Sequence, residues 1–181
     1  MGKAWKHFKT ITYHKYLVAK GCFQVGLYRQ GIWHDMSKYS PAEFLVGIKY
    51  YQGTRSPNNA EREHTGYSSA WLHHKGRNKH HYEYWQDYSV TGGGALVPVP
   101  MPDRYFAEMI MDRIAASKVY KGEEYTDASP LEYLHKSPDH KAIHPDTLEK
   151  LEFVLKMLAE TGEKETFRYV KDVFVKHKRP S

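Results

Sequence analysis

One cysteine, Cys22, stands among 181 residues. That excludes an internal disulfide and every metal site built on several thiolates, and it agrees with a reducing compartment. No apolar run approaches the length that crosses a bilayer, and the stretch from Met1 to His7 lacks the apolar core of a signal peptide. The expectation is a soluble, intracellular protein with no membrane partner. No segment alternates polar and apolar residues as a half-buried strand does, no internal repeat recurs, and no linker divides the chain. Acidic residues are the minority charge: 21 Asp and Glu against 27 Lys and Arg leave +6, to which 12 histidines add below neutrality. This balance favours anionic partners, whether nucleotides, phosphorylated metabolites or nucleic acid, without choosing among them.

What the chain does have is helical periodicity, which predicts an all-α fold of about six to seven helices in one domain over residues 1–181. From about Trp5 to Arg29, the residues His7, Ile11, His14, Val18, Cys22 and Val25 recur at three- and four-residue steps. Ser40, Pro41 and Glu43 read as a capping box opening a helix to about Gln52, with Glu43 reaching back to the Ser40 amide. A third helix from near Ala60 carries Tyr67, Trp71, His74, Asn78, His81 and Trp85 on one stripe if it survives Gly76. Residues 89–102 hold Gly92, Gly93, Gly94, Pro98, Pro100 and Pro102 and read as a long loop able to cover a site. Asp103 and Gly122 frame a further helix. Supporting helices follow at Ser129 and over residues 145–177, with Leu148, Leu151, Leu155 and Leu158 as a stripe closed by Gly162. The basic run from Lys176 to Arg179 reads as a solvated terminus.

Several polar residues sit where core is expected. His14 interrupts the first stripe, as a core histidine bonded to a carbonyl or as a metal ligand. Asp112 interrupts the stripe of Tyr105, Met109, Ala116 and Val119, where a buried carboxylate needs a cation, either Arg or Lys or a metal. Glu108 lies one turn earlier. His73, His74, His80 and His81 crowd into nine residues, and buried imidazoles need partners or a metal; a solvated basic face is the reading for His73. The adjacent pair His34 and Asp35 offers nitrogen and oxygen donors together, with Lys38 close behind.

In their order, His14, the pair His34 and Asp35, and the distal Asp112 resemble the HD-domain superfamily of metal-dependent phosphohydrolases, with Lys38 matching the lysine often found after the pair. A second resemblance, to a family of small bacterial and phage proteins, rests on His34-Asp35-Met36-Ser37-Lys38 with Pro41-Ala42-Glu43-Phe44. It extends to His74 with Asn78-Lys79-His80-His81 and Tyr84-Trp85, and to Met101-Pro102 with Glu108-Met109 and Asp112. The superfamily resemblance implies an HD-like helical bundle whose metal-site core spans about residues 5–121, in the cytoplasm of a bacterial or phage-infected cell. It implies a metal ion held by His14, His34, Asp35 and Asp112. Two-metal branches add histidines, for which the candidates are His74 with one of His80 or His81, helical spacing pairing His81 with His74 and a break at Gly76 leaving His80 available; Mn, Fe, Co, Mg, Ni and Zn are not distinguished.

Such ions activate water and polarise a phosphoryl oxygen, and Lys38 adds positive charge where negative charge gathers. The leading expectation is hydrolysis of a phosphomonoester or phosphoanhydride in a nucleotide or similar small molecule. Asp35 and Lys38 are its catalytic residues, and Lys38, Arg77 and Lys79 grip the anionic substrate. The competitor is an HD-type di-iron oxygenase acting on a small anionic substrate, for which the same histidines serve. A third expectation is a non-enzymatic module binding nucleic acid or protein through its 15 tyrosines and 7 phenylalanines. It is disfavoured because no helix face reads as basic. The residues do not indicate an oligomeric state.

Overall fold

A computed structural model describes residues 2–177, the side chains of Pro138 and Asp139 excepted; Lys178 and Arg179 of the basic tail lie outside the described residues. The predicted stripe on α1 (Lys3–Val25) is buried at every position. The helix stops short of Arg29 because Gly26 adopts φ 90°, a left-handed conformation that glycine enters without steric cost. The amide of Leu27 then bonds the Cys22 carbonyl at 2.8 Å, and the chain turns into the separate α2 (Tyr28–Trp33). Lys15 of α1 donates to the carbonyls of Ile32 (2.5 Å) and His34 (2.8 Å), so α1 satisfies the end of α2 and holds the turn that follows.

That turn is a 3-10 turn over Met36–Tyr39, after which α3 (Pro41–Tyr50) packs on α1. The expected long third helix is instead α4 (Pro57–Thr65) and α5 (Ser69–Lys75). Gly66, at φ 83°, closes the first, and Gly76 caps the second. Residues 82–84 form another 3-10 turn. The expected loop holds a short strand, β2 (Leu96–Pro98), which pairs antiparallel with β1 (Gln86–Tyr88) just before the loop, Asp87 opposite Val97. Three residues are too few to show alternation, and the hairpin lines no part of the cleft described below.

α6 (Asp103–Lys121) is buried on most sides, through Phe106, Met109, Ile110, Met111 and Ile114. It packs along α1, where Met111 fills the space left by Gly21. α7 (Ser129–Lys136) and α8 (Pro145–Val170) complete the bundle. Gly162 leaves helical geometry at φ 79°, as its predicted stop required, and the chain resumes through Phe167 and Val170 into a π-helical turn bearing Phe174. Apolar residues of α1, α6, α7 and α8 form one core, in which Leu151, Leu155 and Leu158 are fully buried, each stabilising the fold by roughly 2 kcal/mol. The fold is predominantly all-α. Among the described residues no helix is long and apolar enough to cross a membrane.

Candidate metal centre

Four separated segments bring their polar side chains to one place. His14 comes from α1, His34 and Asp35 from the turn after α2, His74 from α5, and Asp112 with Glu108 from α6. Asp35 sits at φ 54°, in the left-handed region that a non-glycine residue occupies at a cost of order 1 kcal/mol. That strain turns its carboxylate inward, where the residue is 1% exposed.

The two oxygens of Asp35 face different donors. Oδ2 lies 3.5 Å from His14 Nε2 and 3.3 Å from His34 Nε2. Asp112 Oδ1 closes that group at 2.9 Å from His14 Nε2 and 3.4 Å from His34 Nε2. Asp35 Oδ1 lies 3.3 Å from His74 Nε2 and 3.4 Å from His80 Nε2, and His81 Nε2 is 2.9 Å from His74 Nε2. Two groups able to hold a metal ion therefore share one carboxylate: His14, His34, Asp35 and Asp112, and Asp35, His74, His80 and His81.

These donors fit divalent ions on two grounds. Ligands about 2.1 Å from a common ion stand roughly 3.0 to 3.4 Å from one another, which is the spacing seen here. And His34 Nε2, His80 Nε2 and Asp35 Oδ1 are buried without a hydrogen bond, their nearest polar neighbours among the site's donors standing at 3.3 to 3.4 Å. Leaving one such atom unmet costs about 1–3 kcal/mol, so three converging on one region call for a ligand.

The outer ring nitrogens are held by carboxylates. Glu108 Oε1 accepts from His34 Nδ1 at 2.9 Å and lies 3.2 Å from His80 Nδ1. Glu43 accepts from His74 Nδ1 at 2.8 Å and from His73 Nδ1 at 2.6 Å. With Nδ1 of His34, His74 and His80 held by these carboxylates, Nε2 is the nitrogen each ring turns toward Asp35. His73 is therefore bonded to Glu43, not simply solvated. The capping-box role expected of Glu43 is overturned: the Ser40 amide already bonds Ser37 O at 2.9 Å, and Ser40 makes no side-chain cap. Its carboxylate is left for the histidines.

The electrostatics follow from this crowding. Burial disfavours charge on Asp35, but His34, Lys38 and His74 outweigh it and hold the carboxyl well below its usual range. Burial likewise opposes the His34 cation, and Asp35 with Asp112 and Glu108 raises the imidazole well above its usual value. Lys38 Nζ lies 2.5 Å from Asp35 Oδ2, and although burial works against its charge, Asp35 and Asp112 raise it. His81 is pushed down by burial and by the neighbouring His80 and His74.

Asp112 opens onto a cleft of about 750 Å³ that His14, Lys38, His74 and His81 also line. Its further cations are Arg55, Arg62 and Arg113, not Arg77 and Lys79. Arg77 turns back to the His73 carbonyl at 3.1 Å, and the Lys79 ammonium lies over the rings of Tyr84 and Tyr105. Arg55 is occupied by both oxygens of Glu63, whereas the Nε of Arg113 is buried without a partner. Sequence reasoning named every residue of the two groups but left open which of His80 and His81 joins His74, and the structure brings both there. That reasoning gave the steering carboxylate Glu43 a capping role instead; Glu108 was signalled by its place one turn before Asp112 and by the Glu108-Met109 motif of the second resemblance.

Fold and site define a predominantly helical protein with a buried histidine and carboxylate cluster arranged as two donor groups around one aspartate. The chain belongs to the family of unknown function DUF5662, which matches residues 3–157 and so spans every residue of that cluster. No curated protein and no solved structure matches it.

Proposed function

We propose that the protein is a metal-dependent phosphohydrolase of the HD kind, acting on a nucleotide or similar phosphorylated small molecule. The observation that carries this reading is Asp35, each of whose oxygens faces its own group of buried donors. The order His14, His34 with Asp35, then His74, His80, His81 and Asp112 is the order of the two-metal branches of that superfamily. His14, His34, Asp35 and Asp112 would hold one divalent ion, and Asp35, His74, His80 and His81 a second. When bound, such ions lower the pKa of a coordinated water and polarise a phosphoryl oxygen.

The chain's own residues supply the rest. Glu108 and Glu43 keep the imidazoles in the tautomer that presents Nε2 inward. Lys38, positive and at the cleft wall, meets the negative charge that accumulates on phosphoryl oxygens during displacement. Arg62 and Arg113 line the same wall and suit a substrate that carries further negative charge. The cleft volume lies in the range that encloses a small ligand. The gathering of three imidazoles near Asp35 Oδ1 equally suits iron, so a di-iron oxygenase acting on a small anionic substrate is the second reading.

The test is metal analysis of protein purified without chelator, followed by a phosphatase and nucleotide panel with Mn, Co, Mg and Fe. The expected result is one to two bound ions and phosphate release that Lys38→Ala lowers roughly 10²- to 10³-fold with metal content unchanged. Bound iron with oxygen uptake and no phosphate release selects the second reading. Protein that binds no metal and stays inert overturns both.

A further inference from the structure

The face of α1 opposite the buried stripe is largely exposed, with Tyr39 touching it at Thr12 (3.1 Å) and at Phe8, and its composition is unusual. Trp5, Lys9, Thr12, Tyr16, Lys20 and Phe23 follow one another at three- and four-residue steps, and all are exposed. Trp5 stacks on Phe8 at 5.6 Å, the Lys9 ammonium sits 5.5 Å over the Trp5 ring, and Phe23 meets Tyr28 edge-on at the far end. Trp5 and Tyr16 are 49% and 60% exposed, well above what a core or half-core ring would show. The face runs about 27 Å from Trp5 to Phe23 at the α-helical rise.

Its charge is of one sign. No Asp or Glu precedes Asp35, and Asp35 is buried. Lys3, Lys6, Lys9 and Lys20 are exposed, and none has a carboxylate within 4 Å among the described residues. Lys9 and Lys20 lie among the rings of this face and Lys6 flanks it, whereas Lys3 falls on the side toward the buried stripe. Lys15 is not part of this surface, being bonded to the two carbonyls at the end of α2. A shallow groove of about 660 Å³ runs along Trp5, Phe8, Tyr13 and Tyr16. Thr10 and Val119 line both this groove and the cleft of the metal centre, so the two surfaces adjoin.

We propose that this face of α1 binds single-stranded nucleic acid. Exposed rings at helical spacing offer π-faces to unstacked bases, and lysines interleaved with them meet the phosphates of the same strand. A duplex hides its base faces and would engage only the lysines. A second copy of the chain is disfavoured because a two-fold contact would set lysine against lysine. A bilayer is disfavoured because the face interleaves threonines and lysines with its rings and has no continuous aliphatic strip. The proposal is independent of the reaction assigned to the metal centre.

The experiment is fluorescence anisotropy of the full chain with a labelled oligothymidylate of about twelve nucleotides, titrated across salt. Three phosphate contacts through Lys6, Lys9 and Lys20 give a slope of log affinity on log salt of about −2. Trp5→Ala is expected to weaken binding roughly tenfold, Trp5→Phe to restore most of it, and Lys6→Glu with Lys9→Glu to abolish it at moderate salt. These residues are exposed, so helix content and Tm should be unchanged. Asp35→Asn should bind as the parent does. Absence of binding at low salt, or binding indifferent to Trp5 and Lys9, overturns the proposal. So does binding to duplex as tight as to single strand, preferential capture by phosphatidylserine vesicles, or concentration-dependent dimerisation lost with Trp5→Ala.

Discussion

Oε1 of Glu108 lies 2.9 Å from Nδ1 of His34, and the same oxygen reaches Nδ1 of His80 at 3.2 Å. One carboxylate on α6 thus orients an imidazole in each of the two donor groups, although His34 and His80 are far apart in sequence. Burial works against its charge, but the two histidines outweigh it and keep Glu108 ionised, as a proton acceptor from both rings must be.

Glu108→Gln should therefore act on both groups at once. Both rings meet the same oxygen, so a neutral amide oxygen in its place is a weaker acceptor for both, and each imidazole loses part of the charge-assisted bond that fixes its tautomer. Metal affinity is expected to fall about 10- to 100-fold, read by competition with a chromophoric chelator. Unchanged affinity in a folded variant would show that Glu108 does not steer the ligands.

Metal stoichiometry separates the two groups. Asp112→Asn removes a charge from only the group with His14 and His34, and is expected to lower occupancy by about one ion. Asp35→Asn touches both groups and should empty both. Elemental analysis of the two variants after dialysis decides the matter: equal losses, or full occupancy in Asp35→Asn, would contradict a shared aspartate.

Much of this centre was legible in the residues, because α1 and α6 are regular helices and their stripes place His14 and Asp112 facing inward. The convergence of both His80 and His81 was not. On a helix, neighbours diverge by about 100°, so periodicity pairs His74 with one of them. Gly76 ends α5, and the irregular turn after it brings both rings to His74, at 6.3 and 4.8 Å between centroids. Glu43 was misread for a similarly local reason: the capping box matches in sequence, but the 3-10 turn before it had already used the Ser40 amide. The hairpin of β1 and β2 was invisible because its strands are three residues each.

Two glycines in helices predict opposite outcomes for the same change. A Cβ at Gly21 would meet Met111 Sδ at 2.8 Å, the end of a flexible chain that can turn aside. The gain in helix propensity, roughly 1 kcal/mol, should leave Gly21→Ala near neutral. A Cβ at Gly47 would collide with the His7 ring, which is wedged against Phe44 and Tyr51 at 5.4 and 5.7 Å. Gly47→Ala should cost about 1–3 kcal/mol of stability, and His7→Ala in the same chain should recover part of it. Denaturant unfolding of the three variants checks the sign: a Gly47→Ala protein as stable as Gly21→Ala would contradict this packing.

His7 itself predicts a pH dependence. It is buried with Nδ1 unpartnered, and burial, reinforced by the Lys38 charge, lowers its pKa from 6.5 to about 4. The folded state therefore holds it neutral where the unfolded chain takes up a proton. Above 6.5 both states are neutral and the full stability is present; as pH falls toward 4 only the unfolded state gains the proton, so stability declines, by up to about 3 kcal/mol. Below about 4 both states are protonated and this decline stops. Other histidines titrate in the same window, so the informative quantity is the difference in slope between the parent and His7→Gln. The variant loses ring contacts and starts less stable at every pH, yet its Tm should fall less steeply between 6.5 and 4. Parallel slopes for the two proteins would mean that the His7 ring takes a proton in the folded state as readily as in the unfolded one.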